Sequence, residues 1–289
     1  MTQGVRGTRD FYPEDMRIRN WLFDNFRSAA RSHGFEEYDA PVLEHEELYT
    51  RKQGEDITQQ LYNFEDKGER KVALRPEMTP SLARMVMARA GALPTPIKWF
   101  SIPQCWRYER TQRGRGREHY QWNVDIWGSD ALEADVELLS VLVNFFEAHD
   151  RAGQLRAICG GGRYDRLLSS LGGNDMPATG FGFGDMVIME LLMDKGLVPE
   201  LASGNEDIVI AINEDLRGAA MSVATKLRAS GRTVDLVLED KRMKWAFRHA
   251  ERTGAQRLVM VMPEEWAAGN VRIKELESGE ESDVAVGDL

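Results

Sequence analysis

Hydrophobic and polar positions alternate most regularly between Gln104 and Gly128, in QCWRYERTQRGRGREHYQWNVDIWG. Side chains alternate across a strand, so each arm of this stretch has two distinct faces. In the first arm Trp106 and Tyr108 share one face, and Arg107 and Glu109 the other. In the second arm Tyr120, Trp122, Val124 and Ile126 point one way, and Gln121, Asn123 and Asp125 the opposite way. A hairpin is predicted, with an aromatic and aliphatic face and a face of charges and amides. A half-buried antiparallel hairpin with a solvated polar face accounts for this alternation as well as a binding site does. Upstream, Ile18, Trp21, Leu22, Phe26 and Ala29 recur at helical spacing, predicting a helix over Glu14–Ser32 that ends at Gly34. Phe35–Tyr38 reads as a strand closed by Pro41. Gln60–Phe64 and Val72–Leu74 read as a hairpin around Asp66-Lys67-Gly68. Thr79 followed by Pro80 predicts an N-capped helix running to Ala90.

After the central hairpin the pattern predicts a helix over Leu132–Phe146 with Val136, Leu139, Leu142 and Val143 as its buried stripe. Gln154–Cys159 reads as a strand, Gly160–Asp165 as a tight glycine turn, and Arg166–Leu171 as a short helix. The Gly-Phe alternation of Gly180–Asp185 predicts a strand whose glycine face lies against a flat ligand or a neighbouring backbone. It leads into a helix, Met186–Lys195. Neither glycine cluster has phosphate-loop or dinucleotide spacing. Leu201–Asp207 is a polar linker, and beyond it strands and helices alternate. Ile208–Ile212, Thr233–Leu238 and Arg257–Met262 are the strands, and Asp215–Ser230 and Lys241–Thr253 the helices. Val271–Val286 adds two edge strands to this small, largely parallel α/β domain.

Composition narrows the class. The 289 residues are 42% apolar and 29% charged, as in a soluble protein with a real core. No apolar run is long enough to span a membrane, and MTQGVRGTRDFYPED has no apolar leader core, so a cytoplasmic home is expected. Cys105 and Cys159 form neither a disulfide framework nor a metal cluster, and no metal site is expected. The net charge of -10 argues against nucleic-acid binding through the whole surface. Yet five arginines stand between Arg107 and Arg117, interleaved with Gly114 and Gly116. Arginine forks match phosphate oxygens, and glycines let backbone approach a ligand. That patch points to one anionic ligand. Lys241, Arg242, Lys244 and Arg248 form a second cationic group, for which a solvated helix face is the favoured explanation.

Together these pieces resemble a class II aminoacyl-tRNA synthetase, specifically the histidyl-tRNA synthetase family. GTRDFYPED and the strand ending at Pro41 resemble the family's N-terminus and its dimer-forming motif 1. LRPEMT resembles its amino-acid-binding stretch, WRYERTQRGRGREHYQ its motif 2, and CGGGRYD with GFGFGD its last strand pair and motif 3. The C-terminal domain resembles the family's anticodon-binding domain. The resemblance implies an α+β catalytic domain with an antiparallel sheet over residues 1–200, a linker over 201–207, and an α/β anticodon-binding-like domain over 208–289. It implies ATP with Mg2+, histidine and tRNA as ligands, a homodimer, and ligation of histidine to tRNA through a histidyl-adenylate. Arg107 would bind the α-phosphate and the histidine carboxylate, Glu109 would meet the adenine side, and Arg115 the terminal phosphate. Glu77, Thr79 and Asp125 would hold the substrate ammonium, with Gln121 beside the histidine. Capping explains Thr79, and a helix dipole Glu77, without any ligand. Lys241, Arg242 and Lys244 would meet tRNA phosphates.

The sequence departs from the family at two places. Val187 stands where motif 3 has the arginine of a Gly-x-Glu-Arg pattern. The family's insertion domain and its Arg-Gly-x-x-Tyr-Tyr strand are missing near residues 146–150, where Phe146-Glu147 follows directly on a helix. Two readings follow. One is a histidine-tRNA ligase, whole or impaired by the missing segment. The other is a non-catalytic synthetase paralogue acting as a regulatory or tRNA-binding protein. The retained C-terminal domain favours the ligase lineage.

Overall fold

A computed structural model describes residues 3–53, 58–147, 159–201 and 204–289. The chain separates into two compact units, Met1–Pro199 and Glu200–Leu289. The first carries, in order, α1 (Pro13–Ser32), β1 (Glu36–Glu37), β2 (Leu43–His45), α2 (Glu47–Gln53), β3 (Tyr62–Glu65), β4 (Lys71–Leu74) and α3 (Thr79–Arg89). Then follow β5 (Ile97–Ser101), β6 (Gln104–Trp106), β7 (Glu118–Trp127), α4 (Leu132–Glu147), β8 (Cys159–Arg163), α5 (Leu167–Ser170), β9 (Ala178–Gly184) and α6 (Asp185–Asp194).

The main sheet has the order β1-β5-β7-β9-β8, with β6 paired to β7. Every pairing in it is antiparallel except β1 with β5. Its back is the core. Phe26 of α1 stacks on Trp122 of β7 at 4.7 Å, with Phe145 of α4 and Phe183 of β9 edge-on or tilted against them. Aromatic pairs of this geometry add to simple burial. The alternation of β7 therefore holds, with Trp122, Val124 and Ile126 in the core and Gln121, Asn123 and Asp125 on the front. A three-stranded sheet, β2-β4-β3, flanks the front. Its turn is closed by Asp66, whose carboxylate accepts from the amides of Gly68 and Arg70.

Several expectations are corrected. The buried stripe of α4 is Ala134, Leu138, Val141 and Phe145, while Val136, Leu139 and Val143 are exposed and Leu142 only half-buried. The helix is apolar on two faces at the same spacing, and the aromatic end of one decides which turns inward. The Gly160–Gly162 run is the strand β8, not a turn, pairing with β9 from Cys159 to Arg163. The predicted strand over 154–158 and the join at 148–150 lie outside the described residues. The strand after α1 shrinks to Glu36–Glu37. Thr79 is the first residue of α3 and makes no cap; Met78 occupies the N-cap position.

The second unit holds β10 (Asp207–Ala211), α7 (Arg217–Ala229), β11 (Val234–Leu236), α8 (Met243–Thr253), β12 (Arg257–Val261), α9 (Pro263–Ala267), β13 (Asn270–Glu275) and β14 (Glu281–Ala285). Its sheet order is β11-β10-β12-β13-β14. The first three strands are parallel and the last two antiparallel, so only β14 of the final pair is an edge. Asp207 belongs to the strand and not to the linker. It is fully buried and held between Arg232 and Arg257.

Candidate active site

The front of β7 and the loop between β6 and β7 enclose a cavity of about 330 Å³. Arg107, Glu109, Arg115, His119 and Gln121 line it on the hairpin side, and Cys159, Gly182, Gly184 and Val187 on the other. Arg107 is aimed by its own Nε, which donates to the Pro76 carbonyl at 2.9 Å. That bond ties the β4–α3 junction, which carries Glu77 and Thr79, to the cavity wall. Glu109 and Arg115 form an ion pair across the loop. Arg117 lies 3.9 Å from the Tyr108 ring and donates to the Glu109 carbonyl. Arg113 is turned away, paired with Glu190 and Asp194 on α6. Of the five arginines, then, Arg107 and Arg115 face the cavity.

The loop's glycines are needed for close approach. Gly114 has φ +73°, and a Cβ on Gly116 would stand 2.9 Å from the Glu118 carbonyl and 3.1 Å from that of Gly7. Gly7 in turn accepts from the Arg117 amide, which seats the opening segment under the hairpin. Arg9 follows it in, bridging buried Glu118 at 3.1 Å and buried Asp185 at 3.0 Å. Asp185 also accepts from the Tyr120 amide. Arg9 and Asp185 thus hold the hairpin against α6.

His119 is a site residue that sequence patterning does not single out. Its register with Gln121 and Asp125 on β7 is the available signal. Burial, then the neighbouring Arg107, Arg9 and Arg115, lower its pKa to about 3, so the imidazole is neutral. On the same face Asp125 is fully buried, and burial raises its carboxyl to about 7 against the lowering effect of a hydrogen bond from the Tyr164 hydroxyl. Its second oxygen, Oδ2, has no partner among the described residues. An unpaired buried carboxylate oxygen is costly and marks a place for a cation or donor. Glu77, Thr79 and Asp125 do not line the cavity itself, whereas Arg107, Glu109, Arg115 and Gln121 do.

The glycine face of β9 splits in two. A Cβ at Gly180 would meet Asp125 at 2.2 Å, and one at Gly182 would meet Gln121 at 1.8 Å, so these glycines make room for neighbouring side chains. Gly184 has nothing within 4 Å and opens on the cavity. Val187, also on the wall, carries no charge. Among the described residues no group of three or more His, Cys, Asp or Glu could hold a metal ion. In the second unit Arg242 and Lys244 are exposed at the start of α8, and Lys241 is already paired with Glu239 at 2.7 Å. Trp245 stacks on His249 there, at 4.7 Å.

An antiparallel sheet backed by helices, an arginine-bearing hairpin over a glycine strand, and a following α/β unit define a class II aminoacyl-tRNA synthetase architecture. Comparison with known proteins agrees. The histidyl-tRNA synthetase family profile matches residues 7–155, and an anticodon binding domain profile matches residues 208–289. The chloroplastic/mitochondrial histidine–tRNA ligase of Arabidopsis thaliana is 41% identical over 413 aligned positions, covering 98% of this chain and 85% of its own. The histidine–tRNA ligase of Opitutus terrae is 30% identical, covering 98% of this chain and 95% of its own. The crystal structure of apo S. aureus histidyl-tRNA synthetase superposes with a TM-score of 0.86 at 19% identity, covering 99% and 98% of the two chains. The chain belongs to the histidyl-tRNA synthetase family. It is short for it, since alignments of more than 400 positions meet only 289 residues here.

Proposed function

We propose that this chain binds ATP with its Mg2+ on the central hairpin and activates histidine as an adenylate for transfer to tRNA, at a reduced rate. The observation carrying this reading is the cavity itself, with two guanidinium groups facing glycine-bare strand ends. Arg107 is set to meet the α-phosphate and the histidine carboxylate, since its Nε is occupied and its fork faces inward. Arg115 reaches the terminal phosphate by leaving Glu109. An ion pair with an exposed partner is worth about 1 kcal/mol or less, so the exchange is inexpensive. Glu109 is then released to the adenine side. Mg2+ arrives on the triphosphate as part of the substrate and needs no protein cage. The histidine ammonium goes to Asp125 Oδ2 with Glu77 and Thr79, and Gln121 lies beside the ring.

In the reaction a histidine carboxylate oxygen forms a bond to the α-phosphorus and pyrophosphate leaves. The aminoacyl group then passes to the terminal ribose hydroxyl of tRNA, releasing AMP. Charge fixed in advance at the phosphorus does most of the work. Here Arg107 supplies it without the motif 3 arginine, whose position holds Val187, and without the arginine of the missing Arg-Gly-x-x-Tyr-Tyr strand. Loss of one such preorganised donor costs roughly 100- to 1000-fold. Isothermal titration with ATP and histidine-dependent pyrophosphate exchange test the reading together. ATP binding that Arg107→Ala abolishes, with slow exchange, is expected. Exchange as fast as in the longer relatives would refute the impairment. ATP binding with no exchange at all would favour the non-catalytic paralogue.

A further inference from the structure

The cations of the second unit fall into two groups. Arg217, Arg232, Arg257 and Arg272 pair with carboxylates, as do Lys241 and Lys274. Lys226 and Arg228 donate to backbone carbonyls, and Arg252 donates to His249. Arg242, Lys244 and Arg248 remain, exposed and without a carboxylate partner among the described residues. Carboxylates are not in short supply, since residues 206–289 hold 16 acids against 12 bases. The three free cations stand together at the head of α8, each within three residues of Trp245. Positions three apart are neighbours on a helix surface, so Arg242 and Arg248 border Trp245 on either side along the axis.

Trp245 is 37% exposed, whereas the other six tryptophans are buried or half-buried. The helix packs on its sheet through Ala246 and Ala250, with Met243 and Phe247 beside them, and Trp245 takes no part in that core. Its ring is nevertheless held in place. It stacks on the His249 ring at 4.7 Å and an interplanar angle of 14°. Arginine can only donate, so His249 Nδ1 accepts from Arg252 at 3.0 Å, and Nε2 donates to Asp235 of β11 at 2.7 Å. The indole is thus backed by a ring that is itself pinned at both nitrogens. One turn earlier stands only the Lys241 ammonium, 5.6 Å from the indole centroid and tied to Glu239. A solvated helix face accounts for the charges, but not for a fixed, water-exposed indole among them. A rigid aromatic face bordered by free guanidinium groups is what an unpaired base with phosphates on both sides requires.

We propose that Trp245 is the platform on which an unpaired tRNA base stacks, with Arg242 and Arg248 taking the phosphates on its two sides. This rests on the tRNA reading above and adds to it the residue that grips the loop. The anticodon binding domain profile covers this unit, so the anticodon loop is the RNA segment concerned. Every base has a π-face, so the contact supplies affinity and tolerates any sequence.

The test uses the full chain and a histidine tRNA transcript, together with transcripts carrying one abasic nucleotide at each anticodon-loop position in turn. Trp245→Leu should keep the melting temperature, weaken transcript binding about ten-fold and leave its salt slope unchanged, because stacking releases no counterions. Trp245→Phe should retain most of the affinity. Arg248→Ala should lower the salt slope by about one. One abasic position should weaken binding to the native chain and make no further difference to Trp245→Leu. Native binding of the transcript that Trp245→Leu leaves intact would overturn the platform alone. So would abasic losses that are the same in both proteins. Failure of the native chain to bind the transcript would remove the tRNA reading together with the platform.

Discussion

Lodged among three arginines and largely buried, His119 stays neutral where a free imidazole takes up a proton. Its pKa falls from 6.5 to about 3, so between those values the unfolded chain binds the extra proton. Stability then falls as pH drops from 6.5 toward 3. A tenfold change in proton affinity is worth about 1.4 kcal/mol, which sets an upper bound on the order of 5 kcal/mol for this residue. His119→Gln should flatten that acid limb in urea titrations at stepped pH. Asp125 has the opposite sign. Its pKa rises from 3.8 to about 7, so the folded state holds the proton and stability is lost as pH rises through that window. Asp125→Asn should therefore be the more stable protein at pH 8 while histidine binding is lost, read by unfolding and by titration with the amino acid. Sequence alone puts Asp125 on the right face but cannot give it a charge state, which depends on Gly180 bringing β9 against it and on Tyr164 reaching it from beyond β8.

At the scale of elements, the central hairpin is legible because strand alternation and core alternation coincide along β7. Trp122 and Val124 could face only one way once α1 and α4 covered one side. The helix α4 is not legible. Its two apolar stripes have equal spacing, and contact with Phe26 and Phe183, far off in sequence, chooses between them. The glycine run misleads because glycine suggests a turn, whereas here it permits close pairing: a Cβ on Gly161 would stand 2.4 Å from the Gly180 carbonyl of β9. The cap expected at Thr79 yields to Met78. Around the start of α8 the cations divide by partner. Lys241 is spent on Glu239, so Lys244→Ala should reduce tRNA affinity more than Lys241→Ala and lower the salt slope by about one. Filter binding over a salt series reads both, and an unchanged slope would leave Lys244 a solvated side chain.

For the molecule as a whole, the order of motifs carries the fold class further than any single motif. What it cannot carry is how the chain manages without the residues its relatives have. A two-fold assembly through α1 and the strand to Pro41 is expected from the family likeness and is checked by sedimentation at micromolar concentration. No helix among the described residues is long and apolar enough to cross a membrane. The chain's two thiols sit at very different depths. Cys105 is fully buried, and Cys159 stands half-buried on the cavity wall with its thiol raised to about 11 by burial. A maleimide dye should therefore mark one sulfur of the native protein slowly and both only after denaturation. Added ATP should slow the first of these reactions further, so that the label's own kinetics become a gauge of nucleotide occupancy that needs no enzymatic turnover at all.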